Sequence, residues 1–323
     1  MLRRSILQHG ALVALLAASG ATFAADYPTK PITMIVPQAT GGTNDVVARI
    51  VAKTLGEALG GSVVVDNRPG AGGNIGTVAA ARSAKDGYTL LMTVSSAQAI
   101  NPALYKAPGF DPVKDFAPIS LVGSVPNVLV VHPSFPAKTL DDFLKLVKAQ
   151  PGKFQYASAG NGTLNHLLGE MLKTTAGVDM QHIPYKGVAP ALNDLIGGQV
   201  PIAFASLPSV LAHLKSGRLV ALGVSSPKRS PALPDVPAIG EKVPGYSGTL
   251  WAGLFVPRGV PADVETKLQQ AMTKVLADEK TKELLVQQGV ELANATPAQF
   301  ATQLQEDIAR WAKIVKASGA TVD

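Results

Sequence analysis

The sequence predicts an α/β fold of two domains joined by two extended strands, with a cleft between the domains. Three observations carry this. Short β-rich runs alternate with helical stretches in both halves of the chain, the pattern of parallel sheets covered by helices. Two long apolar runs separate the halves, and the amphipathic helices beyond the second run have no strands of their own to cover. The length of 323 residues fits two domains at roughly 150 each.

The chain opens with Arg3 and Arg4 before an uncharged run from Gly10 to Ala21, then Thr22-Phe23-Ala24, with small residues where a signal peptidase reads. Residues 1–24 are therefore expected to be a signal peptide cleaved after Ala24. The apolar stretch falls short of the ~20 residues a bilayer span needs. Arg3-Arg4-Ser5-Ile6-Leu7 half matches a twin-arginine signal, so the export route stays open.

Ile32–Val36, Ser62–Asp66 and Thr89–Val94 read as the first three strands. Pro118–His132 is too apolar for a solvated linker and reads as a strand crossing between domains. Phe154–Ala157, Met180–Ile183, Val200–Phe204 and Leu219–Val224 are strands of the second half, alternating with helices from Thr163 to Ala176, Ala189 to Ile196 and Ser209 to Ser216. After a proline-rich stretch from Ser226 to Pro237, Thr249–Val256 is the expected return crossing. Apolar residues at helical spacing follow, first Val264, Leu268, Met272, Val275 and Leu276, then Phe300, Leu304, Ile308, Trp311 and Val315. These helices are expected back on the first domain. That division assigns 25–124 with 249–323 to domain 1 and 125–248 to domain 2.

Composition narrows the function. With 46% hydrophobic residues the chain is not disordered. The absence of cysteine removes thiol nucleophiles, thiolate metal sites and a lipidated cysteine. The charge of +6 becomes +4 once the signal peptide is gone, because it carries two arginines and no acid. With 5% aromatic residues and no dense basic block, this is a mild pull on anions and not a nucleic-acid surface.

Two glycine-rich loops sit where such a cleft needs them: Pro37-Gln38-Ala39-Thr40-Gly41-Gly42-Thr43 after the first strand, and Ser158-Ala159-Gly160-Asn161-Gly162-Thr163 after a strand of the second half. Each opens a helix, whose free N–H groups and positive dipole end favour a carboxylate or phosphate; plain turns capped by Thr43 and Thr163 are the bland alternative. A third loop, Asn67 to Gly76, fails the dinucleotide pattern because Ile75 stands where glycine is required. Ser225-Ser226-Pro227-Lys228 matches a hydrolase motif only inside a proline-rich loop. His166 sits one turn into the second helix, facing either the cleft or the helix start, whereas His182 and Asp45 read as structural. Tyr185, just past a strand, adds either a hydroxyl to the cleft or a turn.

Tyr27-Pro-Thr-Lys-Pro31, Val36-Pro37 with Gly41-Gly42 and Asp45, Asn67-Arg-Pro-Gly-Ala-Gly-Gly-Asn-Ile-Gly76, Asp86-Gly-Tyr-Thr-Leu90, Asn101-Pro102, Ser158 to Thr163 with His166, and Pro184-Tyr-Lys-Gly187 together resemble the Bug, or TctC, family of tripartite tricarboxylate transporter solute receptors. The resemblance covers essentially the whole mature chain. It implies a monomeric periplasmic-binding-protein fold that binds a small carboxylate, without cofactor, metal or catalysis, and delivers it to a permease of one large and one small subunit. It implies that Pro37, Gln38, Gly41, Gly42 and Thr43, with Gly72, Ser95 and Ser96, hold the ligand from the first domain. Ser158, Asn161, Gly162, Thr163 and His166 would close from the second, with Tyr185, Ala205 and Ser206 near the same pocket. Gln38 stands where relatives often carry an aromatic residue, and Ala205 where they often carry an acid. Without that acid, acids lacking an amine are the expected ligands. A periplasmic partner of a sensor kinase, or a hydrolase built on Ser158 and His166, are the rival readings.

Overall fold

The computed structural model describes residues 27–185 and 187–322. The expected signal peptide and Lys186 lie outside the described residues. Strand β1 (Ile32–Val36) pairs in parallel with β2 (Val63–Asn67) on one side and β3 (Thr89–Val94) on the other. Helix α1 (Thr43–Leu59) covers this sheet with Val47, Val51 and Leu55. It stops at Gly60, whose φ of 69° is left-handed backbone that glycine adopts without steric cost. A short helix α2 (Asn74–Ala81) follows β2, and a π-helical turn (Ser96–Ile100) running into α3 (Asn101–Leu104) follows β3.

Strand β4 (Phe116–Val131) belongs to two sheets. From Phe116 to Pro126 it pairs antiparallel with β9 (Thr249–Pro257), and from Asn127 to Val131 with β7 (Ile202–Ser206) and β8 (Val220–Val224). Nearly every position along it is buried, which is what a continuous apolar run demands. The change of partners falls where Pro126, lacking an N–H, ends one ladder. In the second sheet, β5 (Gln155–Ser158) lies parallel to β7 and to β6 (Gln181–Pro184). Helices α4 (Leu140–Ala149), α5 (Leu164–Ala176), α6 (Val188–Ile196) and α7 (Leu207–Lys215) belong to this half.

Strand β9 departs from expectation. It pairs only within the first sheet, with β3 and β4, so the chain has already returned when β9 begins. The return is made at Gly248, whose N–H donates to Ser225 O at 2.9 Å. Helices α8 (Ala262–Ala277) and α9 (Glu279–Gln287) follow, and Val264, Leu268, Met272, Val275 and Leu285 share a core with β1 and α1. A two-residue strand β10 (Glu291–Leu292) edges β4.

The last helix, α10 (Pro297–Ser318), does more than cover the first sheet. Its buried Phe300, Leu304, Trp311 and Val315 pack in one cluster with Leu91 and Phe255 of the first sheet and with Tyr156, Leu168 and Phe204 of the second half. Trp251 Nε1 donates to Asp307 Oδ2 at 2.7 Å, pinning this helix to β9. Among the described residues no helix is long and apolar enough to cross a membrane.

Candidate functional site

A cavity of about 280 Å³ lies between the loops of the two halves. One wall is made by Gly72, Ser96, Asn101, Leu104 and Tyr105, the other by Asn161, Gly162, Thr163, Leu164 and Asn165, with Leu250 and Val322 completing it. The halves touch at its edge: a Cβ on Gly162 would lie 2.3 Å from Leu104 Cδ2, and Gly162 has a φ of 72°. Only glycine fits there without moving the other half.

The polar groups divide into those that hold the walls and those that face the cavity. Asn101 Nδ2 donates to Gly72 O at 3.0 Å and to Asn74 Oδ1 at 2.7 Å, tying α3 to the 70–74 loop. Asn165 Nδ2 donates to Asn127 Oδ1 and Phe204 O, at 2.8 and 2.9 Å, and Asn127 N–H donates to Ser225 Oγ. This buried network therefore fastens the start of α5 to the point where β4 changes sheet. Leu164 and Asn165 are the first two residues of α5, so helix geometry gives their N–H groups no acceptor within the helix. Both residues line the cavity, together with the hydroxyl-bearing Ser96 and Tyr105 and the amide-bearing Asn161. Among the described residues no residue lining the cavity carries a charge.

The second loop is braced from behind. Thr163 is the N-cap of α5, accepting His166 N–H and donating to Gly160 O at 2.7 Å. His166 Nδ1 accepts Gly162 N–H at 3.1 Å, and its ring stacks on His182 at 3.9 Å. His182 Nε2 lies 2.6 Å from Ser158 Oγ, and Ser158 Oγ also accepts Gly160 N–H. Burial holds both histidines below the usual imidazole range, His182 at about 3. His166 Nε2 lies 4.0 Å from Glu170, which accepts from Tyr156 OH and Lys173. Thus Ser158 and His166 are not paired with each other. Both are almost wholly buried as loop supports, and the hydrolase reading has no exposed nucleophile there.

The first loop is supported in a different way. Gly42 is the N-cap of α1 with no side-chain cap bond, so Thr43 does not cap it. Asp45 accepts Gly41 N–H at 2.8 Å, Asn67 Nδ2 at 2.9 Å and the Arg49 guanidinium at 3.0 Å. Burial pushes the Asp45 carboxyl up, but these donors outweigh it and hold it below the usual range. The loop lies under the 70–73 turn, where a Cβ on Gly73 would meet Gln38 Nε2 at 3.1 Å and Pro37 O at 3.3 Å.

Of the residues expected from sequence, the cavity gathers Gly72, Ser96, Asn161, Gly162 and Thr163. Pro37, Gln38, Gly41, Gly42 and Thr43 are not among its lining residues. Ser95 is buried, donating to Thr249 O at 3.1 Å. Tyr185 OH donates to Asp194 at 2.7 Å, and Ser206 Oγ lies 2.7 Å from Ser209 Oγ. Ala205 points the other way, into an apolar cluster with Val128, Ala203 and Val224. Strand alternation sends Phe204 to one face and Ala205 to the opposite one, so the reading of ligand charge from Ala205 is withdrawn. Asn101, Leu104, Tyr105, Leu164, Asn165, Leu250 and Val322 were missed. Only the Asn101-Pro102 pair carried a signal. Among the described residues no group of three or more His, Asp or Glu comes together as a metal site.

Two α/β halves that share a strand and enclose a small cavity between their helix-opening loops define a periplasmic binding protein. The family model for the tripartite tricarboxylate transporter family receptor, TctC, matches residues 47–320. The chain belongs to this family, whose members are solute-binding receptors. It is 40% identical over 296 residues to Protein BugT of Bordetella pertussis, covering 91% of each chain. It is similar to an R. palustris protein solved with adipate, at 35% identity and a TM-score of 0.79, covering 91% of this chain and 99% of that one. It is also similar to MatC from Rhodopseudomonas palustris with bound malate, at 31% identity and a TM-score of 0.75, covering 90% and 100%.

Proposed function

We propose that the chain captures a small di- or tricarboxylate in the cavity between Gly72–Tyr105 and Asn161–Asn165, and delivers it to a membrane permease of one large and one small subunit. The observation that carries the reading is the cavity's polarity. It offers helix-start N–H groups, hydroxyls and amides from both halves, and none of its described lining residues has a carboxylate to repel an anion. The adipate and malate bound to the two similar structures support the ligand class. The change of partners along β4 supports two lobes, 25–124 with 249–323 and 125–248, that close on the ligand as a monomer. Cleavage after Ala24 would release the receptor into the periplasm.

Calorimetry of the mature protein against succinate, malate, adipate and citrate tests the capture. At least one acid should bind, with a smaller radius of gyration in solution scattering once it is bound. A protein that binds none of them, but binds a sugar or an amino acid, would overturn the reading.

A further inference from the structure

The apolar part of the cavity comes from separated pieces of chain: Leu104 from α3, Leu164 from α5, Leu250 from β9 and Val322 from beyond α10. Val322 is placed there by firm anchorage. The buried side chains of α10 and the Trp251–Asp307 bond fix that helix, and Trp311 packs so closely on the return segment that a Cβ on Gly248 would sit 3.1 Å from its ring. Gly319, at a φ of 64°, then ends the helix by turning the chain, and Ala320 N–H donates to Ser318 Oγ at 3.2 Å. Ala320 and Val322 pack on the same core that holds Leu104 and Leu164. The tail side chain is therefore a wall of the cavity, held by a helix that touches both halves.

We propose that Val322, with Leu250 and Leu104, forms the apolar wall that selects the ligand's body, so that the receptor favours a carboxylate with an unbranched methylene chain over a hydroxylated one of equal length. The inference rests on the carboxylate reading above. The physical reason is that a ligand body lying against these side chains gains from buried methylene, whereas a hydroxyl turned to them finds no partner and must compete with the carboxylate ends for the polar side chains Ser96, Tyr105 and Asn161. A cavity of about 280 Å³ is at the small end for ligand sites, so a change in one wall side chain alters which chain length fits.

The test is calorimetry of the wild-type protein and its Val322→Ala, Val322→Trp and Thr321→Trp variants against straight-chain dicarboxylates of four to eight carbons and against malate. Thermal unfolding is run on each protein. Wild type should bind succinate more tightly than malate. Val322→Ala should weaken the best ligand about tenfold, from the methyl contacts removed, and move the preference to a longer chain. Val322→Trp should penalise the longest acids most. Thr321→Trp, at an exposed neighbour, should leave the profile alone. Equal length profiles in wild type and both Val322 variants, a matching change in Thr321→Trp, or malate bound more tightly than succinate would overturn the inference while the carboxylate reading stands. A wild type that binds no acid overturns that reading and the inference with it.

Discussion

The backbone N–H of Gly162 is donated to Nδ1 of His166 at 3.1 Å, across one turn at the start of α5. An amide that the loop's glycine pattern offers to a ligand is thereby spent within the protein. The loop is held rigid instead, and the N–H groups of Leu164 and Asn165 just beyond it are the ones that the helix leaves without an acceptor. The same bond requires a neutral imidazole, since a protonated Nδ1 has no lone pair to accept with.

This sets a pH dependence. In the folded protein burial holds His166 and His182 below the usual value near 6.5, His182 at about 3, while the unfolded chain titrates near 6.5. The unfolded state therefore takes up protons first, so stability is complete above about pH 6.5 and falls progressively as pH drops toward the folded values. Urea midpoints measured from pH 8 to pH 5 should decline, and His182→Gln should flatten the decline. An unchanged slope in that variant would assign the dependence elsewhere.

Gly162→Val should abolish ligand binding. The new side chain meets Leu104 at 2.3 Å and must adopt a φ of 72°, which costs a non-glycine residue about 1–2 kcal/mol. Adding Leu104→Ala should restore part of the affinity by removing the clash, and leave the backbone cost. Calorimetry on the two single variants and the double variant measures both parts; no recovery in the double variant would mean that the loop alone is at fault.

Asn165→Leu should destabilise the protein by about 1–3 kcal/mol in urea, because Phe204 O and Asn127 Oδ1 lose their buried donor. The loss falls where β4 changes sheet, so scattering should also show a wider spread of lobe orientations. A midpoint within 0.3 M of wild type would show that other donors replace the amide.

Asp45→Ala separates two roles for the acid behind the first loop, which lies under the 70–73 turn at the edge of the cavity. As a brace it supports the first loop through Gly41, Asn67 and Arg49. Its removal should then lower both stability and carboxylate affinity, although a negative charge has gone. Tighter carboxylate binding in the variant would show instead that the charge acts by repulsion.

Local pattern was enough to read β1 to β9, the shared strand β4 among them, and the helices α5, α6 and α7, but neither α4 (Leu140–Ala149) nor the two-residue β10. Such elements follow from apolar spacing and from breakers such as Gly60 and Pro126, which act over a few residues. The family was legible for a similar reason, because its motifs are short runs with fixed order. What a side chain faces is a different matter. Ala205 was expected at the pocket and lies in the core, because one step along a strand reverses the face. Ser158 and His166 carry the right chemistry in the right loop, yet β6 brings His182 between them and turns both inward. Val322 had no signal in its own neighbourhood, since only the packing of α10 on both halves carries it to the cavity. Periodicity records which residues avoid water; contacts between segments hundreds of residues apart are decided by the packing of whole elements, which no local window contains.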